Sequence, residues 1–289
     1  MVYRNLSAYL KEKYGEKVKK ICIDGGFTCP NRDGRVGVGG CVFCGERGAG
    51  EHICAELGIR EQVETALARG KGEAYIAYFQ NFTNTYADAD TLKARYDAAL
   101  IDDRIRVLAI GTRPDCIDED VCRLIASYKS RLDVWVELGL QTASDITAAK
   151  INRGYQTNVY ISATKMLKKY DIPFVTHIMI GLPGEGQTEL DATIDLINNV
   201  GSWGIKIHSL YVMEGTRLAE MYRKKLYTPP TLDTYTSLAA RALSHLDKSI
   251  VVHRITGDCP SGMLVAPEWN TDKQTVINEI RRKLEALKQ

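Results

Sequence analysis

Apolar positions along the chain fall into short clustered runs separated by stretches of helical spacing. The runs at 18–24, 74–80, 106–112, 133–140, 173–181, 204–212 and 250–255 are rich in apolar or β-branched residues and end in turn or capping signals, which predicts strands. Between them, 60–69, 91–100, 119–128, 159–170, 189–200 and 232–246 carry the 3.6-residue period of amphipathic helices. In the fourth of these, Ile161, Thr164, Met166, Leu167 and Tyr170 form the expected buried stripe. Asp118 and Asn158 stand where helix N-caps are expected, and Gly70 and Gly201 where helices stop.

Regular alternation of strand and helix implies a parallel sheet with helices outside it. Six or seven such units predict an α/β fold, a partial or full parallel (β/α) barrel whose strand C-termini carry the chemistry. Short helical extensions flank it: a charged N-terminal segment, and a last helix over 272–287 after a turn-rich stretch containing Pro260, Gly262 and Pro267. No Pro/Ser-rich linker divides the 289 residues, so one domain is expected, with a core over about 15–256 and an extension over about 257–289.

Composition changes this picture little. No run of eighteen apolar residues predicts a membrane-spanning helix, and residues 1–20 lack the apolar stretch of a secretory signal, so a cytoplasmic location is expected. The net charge of +2 neither requires nor excludes a nucleic-acid partner. Basic residues do crowd both termini: Arg4, Lys11, Lys13, Lys17, Lys19 and Lys20 at one end, and Arg281, Arg282, Lys283 and Lys288 at the other. Sharing a face they would form a phosphate-binding patch; interleaved with glutamates they are two solvated helix faces.

The eight cysteines carry the candidate chemistry. A reducing compartment disfavours disulfides and leaves metal binding or catalysis as the use for clustered thiols. Cys54, Cys116, Cys122 and Cys259 are scattered and read as small buried hydrophobes, whereas Cys22, Cys29, Cys41 and Cys44 cluster around a glycine-rich loop. Soft thiolates select iron–sulfur clusters or zinc. Four ligands would close a zinc site or an electron-transfer cluster; three would leave one iron open. Cys22 lies within a strand pattern, between Ile21 and Ile23, which favours Cys29, Cys41 and Cys44 as the set. The residues alone leave an open cluster and a closed zinc site level.

Cys41-Val-Phe43-Cys44 resembles the Cys-x-aromatic-Cys ending of the radical S-adenosylmethionine (SAM) superfamily. The eleven residues between Cys29 and Cys41 depart from its commonest spacing and resemble the Elongator-catalytic-subunit type. Within that type, Gly-Gly-Phe-Thr-Cys-Pro-Asn-Arg-Asp-Gly followed by Gly-Gly-Cys-x-Phe-Cys is similar to the YhcC/YtqA branch, over nearly the whole chain. The resemblance implies a [4Fe-4S] cluster on Cys29, Cys41 and Cys44, with S-adenosyl-L-methionine as the second cofactor. It further implies contacts from Phe43, from Gln80 to the methionine ammonium, from Thr112 to a ribose or carboxylate, and from Glu137 and Gln141 in Glu-x-Gly-x-Gln. Arg153 would reach the cofactor carboxylate, and His177 would precede a Gly181–Glu185 motif lining the adenine. Lys206, His208 and Tyr211, at the end of the sixth strand run, are placed near the substrate. Tyr86, Tyr222 and Cys259 join Tyr211 as candidate hydrogen-atom donors or electron relays.

Elongator-type relatives act on the wobble uridine of tRNA, so the expected reaction is conversion of 5-carboxymethylaminomethyluridine towards 5-aminomethyluridine. An external electron donor such as flavodoxin or ferredoxin and a partner methyltransferase are implied, and an acetyl-CoA co-substrate is not. Trp203, Trp269 and Arg254 are candidates for stacking a splayed base. Two alternatives remain at this point: a radical enzyme acting on a small metabolite or peptide, and a non-enzymatic four-cysteine iron–sulfur or zinc protein.

Overall fold

A computed structural model describes residues 3–48, 56–70, 74–260 and 262–287; Cys54 and Lys288 lie outside the described residues. The chain runs α1 (Leu6–Tyr14), β1 (Val18–Ile23), α2 (Ile59–Ala68), β2 (Ala74–Phe79), α3 (Ala89–Ala99), β3 (Ile105–Thr112), α4 (Glu119–Ser127), β4 (Asp133–Gln141), α5 (Asp145–Lys150) and α6 (Thr157–Lys169). It continues through β5 (Phe174–Ile180), α7 (Gln187–Asn199), β6 (Gly204–Ser209), β7 (Val212–Met213), α8 (Arg217–Arg223), α9 (Leu232–His245), β8 (Val251–Arg254), β9 (Leu264–Ala266) and α10 (Lys273–Ala286). Seven strands pair in the order β1-β2-β3-β4-β5-β6-β8, every pair parallel. They form a curled half-barrel with helices outside, the partial barrel expected from the alternation.

Strand alternation separates two apolar layers. Ile21, Ile23, Ala77, Phe79, Leu108, Ile110, Val136, Leu138, Ile178 and Ile205 face the helices and make the larger core. Ile76, Tyr78, Val107, Ala109, Trp135, Val175 and Val251 face inward. Leu6 and Leu10 of α1 join this inner layer, and the helix contacts both β1 and β8, the two unpaired sides of the sheet. Just before α1, the Val252 amide donates to the Arg4 carbonyl (2.7 Å).

Several local expectations are corrected. The run at 204–212 is not one strand: β6 ends at Ser209, and Val212–Met213 turns away to pair antiparallel with Leu264–Ala266. The fourth helix starts one residue before Asn158. Its Thr157 amide is satisfied by Asp145 Oδ1 (2.7 Å), an acceptor from α5, which was missed together with α8 because both are short. Its fully buried residues are Tyr160, Ala163, Thr164 and Leu167, while Ile161, Met166 and Tyr170 are half-buried, so the stripe is rotated by about one position. Asp118 does cap α4, accepting from the Val121 amide (2.8 Å).

Three of the terminal basic residues are engaged by the chain's own carboxylates. Lys13 pairs with Asp133, Lys283 with Asp233, and Arg282 with Glu279. Lys20 does not belong to that surface; it lines the interior of the barrel. Trp203 packs edge-on against Tyr9 and His253, and Trp269 stacks on Tyr235 (5.1 Å) while donating to the Pro230 carbonyl, so both rings are taken up by packing rather than presented to a base.

Ile110 is fully buried between sheet and helices. Ile110→Ala is expected to lower stability by about 2–5 kcal/mol in chemical denaturation, and a loss under about 1 kcal/mol would contradict the outer layer described here.

Candidate active site

A cavity of about 360 Å³ opens at the C-terminal ends of the strands, where barrel chemistry is expected. Of the residues singled out from the sequence, Cys29, Phe43, Cys41, Cys44, Gln80, Thr112, Glu137, Gln141, Arg153, His177, Lys206, His208 and Tyr211 line it, whereas Tyr86, Tyr222, Cys259 and the Gly181–Glu185 motif do not. Strand periodicity explains this convergence, because inward positions near the ends of β2, β4, β5 and β6 project into one space.

The cysteine loop is built by side chains that satisfy its irregular backbone, as buried polar groups require. Arg32 donates to the carbonyls of Cys44, Gly45 and Glu46 and lies over the Phe82 ring. Asn31 and Asn152 form a reciprocal clasp: Asn31 Nδ2 donates to the Asn152 carbonyl (2.6 Å), and Asn152 Nδ2 to the Gly40 carbonyl (2.8 Å). Asn31 Nδ2 also lies 3.9 Å from Cys41 Sγ. Gly40 has φ +72°, and a Cβ there would meet Arg32 Nε at 2.9 Å, so glycine is required for this close approach. Beneath the loop, Val42 packs with Ile151, Leu182, Leu210 and Leu218 in a separate apolar cluster.

Electrostatics divides the cysteines. The Cys41 thiol is pushed up to about 12, first by burial and then by the neighbouring Cys44, while Arg113 opposes the rise and Cys29 adds to it. Those three sulfurs therefore share one environment. Cys22 is raised by burial too, but the charges that act on it are Lys20, Lys206, Arg254 and Glu137. Its side chain points inward from β1 as the strand pattern predicted, away from the loop's own set. Among the described residues no three His, Cys, Asp or Glu side chains are gathered tightly enough to hold a metal ion.

Glu137 occupies the middle of the inner wall, with its side chain fully buried. It is paired with Lys206; His177 Nε2 lies 2.8 Å from Oε2, and Trp135 Nε1 donates to Oε1 (3.1 Å). Burial raises the Glu137 pKa, but Lys206 and His177 outweigh it and hold the carboxyl well below its usual range. Burial, with Lys20 and Arg254, pushes the Lys206 ammonium down to about 7, against the pull of Glu137. Burial lowers His177 to about 4, so its ring is neutral near neutral pH and donates to the carboxylate through Nε2–H. The Glu137 charge is thus compensated within the protein, by groups that share the cavity wall with it.

Arg153 is satisfied in the same way. Fully buried, it donates to the carbonyls of Leu140, Thr142 and Tyr155 and to the side chains of Asp145 and Thr157, so its fork holds the turn after β4 and is not open to a carboxylate. The Thr112 hydroxyl is bonded to Thr85 (2.6 Å). Gln141 sits at φ +62° at a bulge in the β4–β5 register, a strained backbone of the kind found at functional sites. Tyr211 donates to the Asp258 carbonyl (3.1 Å), and Cys259 lies near it. Missed from the sequence were Asn31, Tyr78, Arg113, Tyr155 and His253. Strand alternation with Lys206 pointed to Tyr78 and His253; Arg113 is the next residue of the motif containing Thr112, and pairs with Asp115 at 2.7 Å.

Comparison with known proteins agrees with this architecture. Residues 29–197 match the family model described as Radical SAM superfamily, and residues 202–286 match the Radical SAM C-terminal domain. The chain is 37% identical to YtqA of Bacillus subtilis across 98% of its own length and 89% of that protein. It is 29% identical to a tRNA uridine(34) acetyltransferase of Dehalococcoides mccartyi over 55% of its length, spanning 35% of that longer protein. The solved structure of archaeal Elp3 from Methanocaldococcus infernus superposes with a TM-score of 0.69 at 18% identity, covering 92% of this chain and 63% of the other, and shows the same fold.

Lys206→Met is expected to destabilise the chain by about 3–5 kcal/mol, because it leaves the Glu137 carboxylate buried without its ammonium. Adding Glu137→Gln in the same chain should recover part of that loss in a double-mutant cycle. Additive losses would mean the two groups do not interact.

Proposed function

Since this chain belongs to the radical SAM superfamily and is a radical SAM enzyme, we propose that it modifies the C5 substituent of the wobble uridine in tRNA, converting 5-carboxymethylaminomethyl towards 5-aminomethyl. Enzymes of this superfamily use a [4Fe-4S] cluster and S-adenosyl-L-methionine, which when bound supply a 5′-deoxyadenosyl radical that takes hydrogen from an unactivated C–H bond. The residues present fit those groups. Three soft thiols share one end of the cavity, in a loop whose glycines permit close approach to a bulky inorganic centre. We assign Cys29, Cys41 and Cys44 as its ligands and leave Cys22 outside the set, since Cys22 answers to the charges of the inner wall instead.

The remaining assignments follow the cavity wall. Gln80, Thr112, Gln141 and Phe43 stand with the thiols at the cofactor end, while Lys206, His208 and Tyr211 line the part left to the substrate. Glu137 positions Lys206 and His177 rather than meeting a ligand directly. Arg153 acts at one remove, by fixing the turn that carries Gln141 and Asn152. The observation that carries the RNA reading is the likeness of the radical SAM region to that of a tRNA uridine(34) acetyltransferase. A single-electron donor such as flavodoxin or ferredoxin would feed the cluster, and a methyltransferase would extend the aminomethyl product.

Anaerobic reconstitution tests the ligand set: Cys22→Ala is expected to keep the cluster's absorbance and iron content, and Cys29→Ala, Cys41→Ala and Cys44→Ala each to lose them. The opposite pattern would overturn the assignment. Mass spectrometry of tRNA nucleosides from a deletion strain tests the substrate, with accumulation of 5-carboxymethylaminomethyluridine expected. An unchanged wobble-uridine profile would refute it.

A further inference from the structure

We propose that the cavity contains a carboxylate-binding subsite formed by Lys20, Arg254 and His208, and, resting on the wobble-uridine reading, that it takes the carboxylate of the substrate's carboxymethyl group. Three independent features of the wall converge on it. The Lys20 ammonium lies inside the half-barrel, 4.7 Å from the centroid of the Tyr78 ring, and no carboxylate pairs with it among the described residues. Among the described residues the carboxylate beside Arg254 is that of Asp258, at 3.8 Å, which is already held by Lys273 at 2.5 Å. His208 Nε2 is buried without a hydrogen-bond partner, although its ring lines the cavity 5.3 Å from that of His177.

Buried polar atoms in native proteins are ordinarily hydrogen-bonded, so the orphaned His208 Nε2, lining the same cavity as two partly exposed and weakly paired cations, marks a place for an anion that arrives from outside. The one carboxylate deep in the wall cannot serve, because Glu137 is already engaged by Lys206, His177 and Trp135. A guanidinium fork, an ammonium and an imidazole N–H suit the two oxygens of one carboxylate. Both cations also act electrostatically on Lys206 and on Cys22, and Arg254 on His208, which places them over the same stretch of wall.

The test is equilibrium binding to the anaerobically reconstituted full chain, using the nucleoside 5-carboxymethylaminomethyluridine and its methyl ester. Wild type is expected to prefer the acid by about tenfold or more, the size of one charge-assisted contact. Lys20→Gln and Arg254→Gln should each bring the two affinities together, while Lys20→Arg and Arg254→Lys keep the preference and show that the fold tolerates changes there. Equal binding of acid and ester by wild type, or no binding of the acid, overturns the subsite, and the wobble-uridine reading is then judged by the tRNA profile alone. If N-methylglycine competes as well as the nucleoside acid, the carboxylate subsite stands and the wobble-uridine reading falls.

Discussion

The ionised Glu137 in the middle of the inner wall constrains the rest of the cavity. A buried carboxylate is tolerable only with cationic and hydrogen-bonding partners, and satisfying it recruits Lys206 from β6, His177 from β5 and Trp135 from its own strand. Those partners tie three strands together at the level where the cavity begins. Below them the interior is apolar, filled by Trp135, Val107, Val175 and the α1 residues Leu6 and Leu10. Above them it is polar and open to ligands. The boundary between packed core and active site is thus drawn by one charge and its compensation.

The second organising element is the way the cysteine loop is held. Its long first gap is not slack: Asn152 bonds the Gly40 carbonyl, and Asn31 and Arg32 reach out of it to the Asn152 carbonyl and to the carbonyls of Cys44 to Glu46. Val42 anchors the loop in an apolar cluster of its own. The Asn31–Asn152 clasp links the loop to the turn after α5, and the next residue, Arg153, bonds the carbonyls at the end of β4. Two segments distant in sequence are therefore positioned as one unit on the rim of the cavity.

Much of this was legible in the sequence, and the reasons differ by element. The strands were visible as short apolar runs because a parallel sheet buried on both faces demands them, and the placing of Cys22 within such a run agrees with its position on β1. What could not be read was pairing. Glu137 and Arg153 were recognised as buried and charged, but one-dimensional spacing does not show that Lys206 or the Leu140 and Thr142 carbonyls lie beside them in space. Lys20 was misplaced on a basic surface because its neighbours Lys17 and Lys19 set the local composition, whereas the inward position of residue 20 on β1 decides its environment. The short helices α5 and α8 and the break after Ser209 escaped because too few residues carry a period there.

The seven-stranded sheet never pairs β8 with β1 among the described residues, and α1 covers those two edges at the level of the apolar layer. A fully closed cylinder has a bore fixed by its ring of hydrogen bonds, and anything reaching its chemistry must pass end-on through that bore. An unsealed seam removes the limit. The strands beside it carry Cys22 on one side and Arg254 on the other, so two of the residues that line the cavity stand at a place where no strand-to-strand hydrogen bond fixes their separation. On that geometry the width of the cavity is held by helix packing across the seam and not by a closed ring of strand pairing.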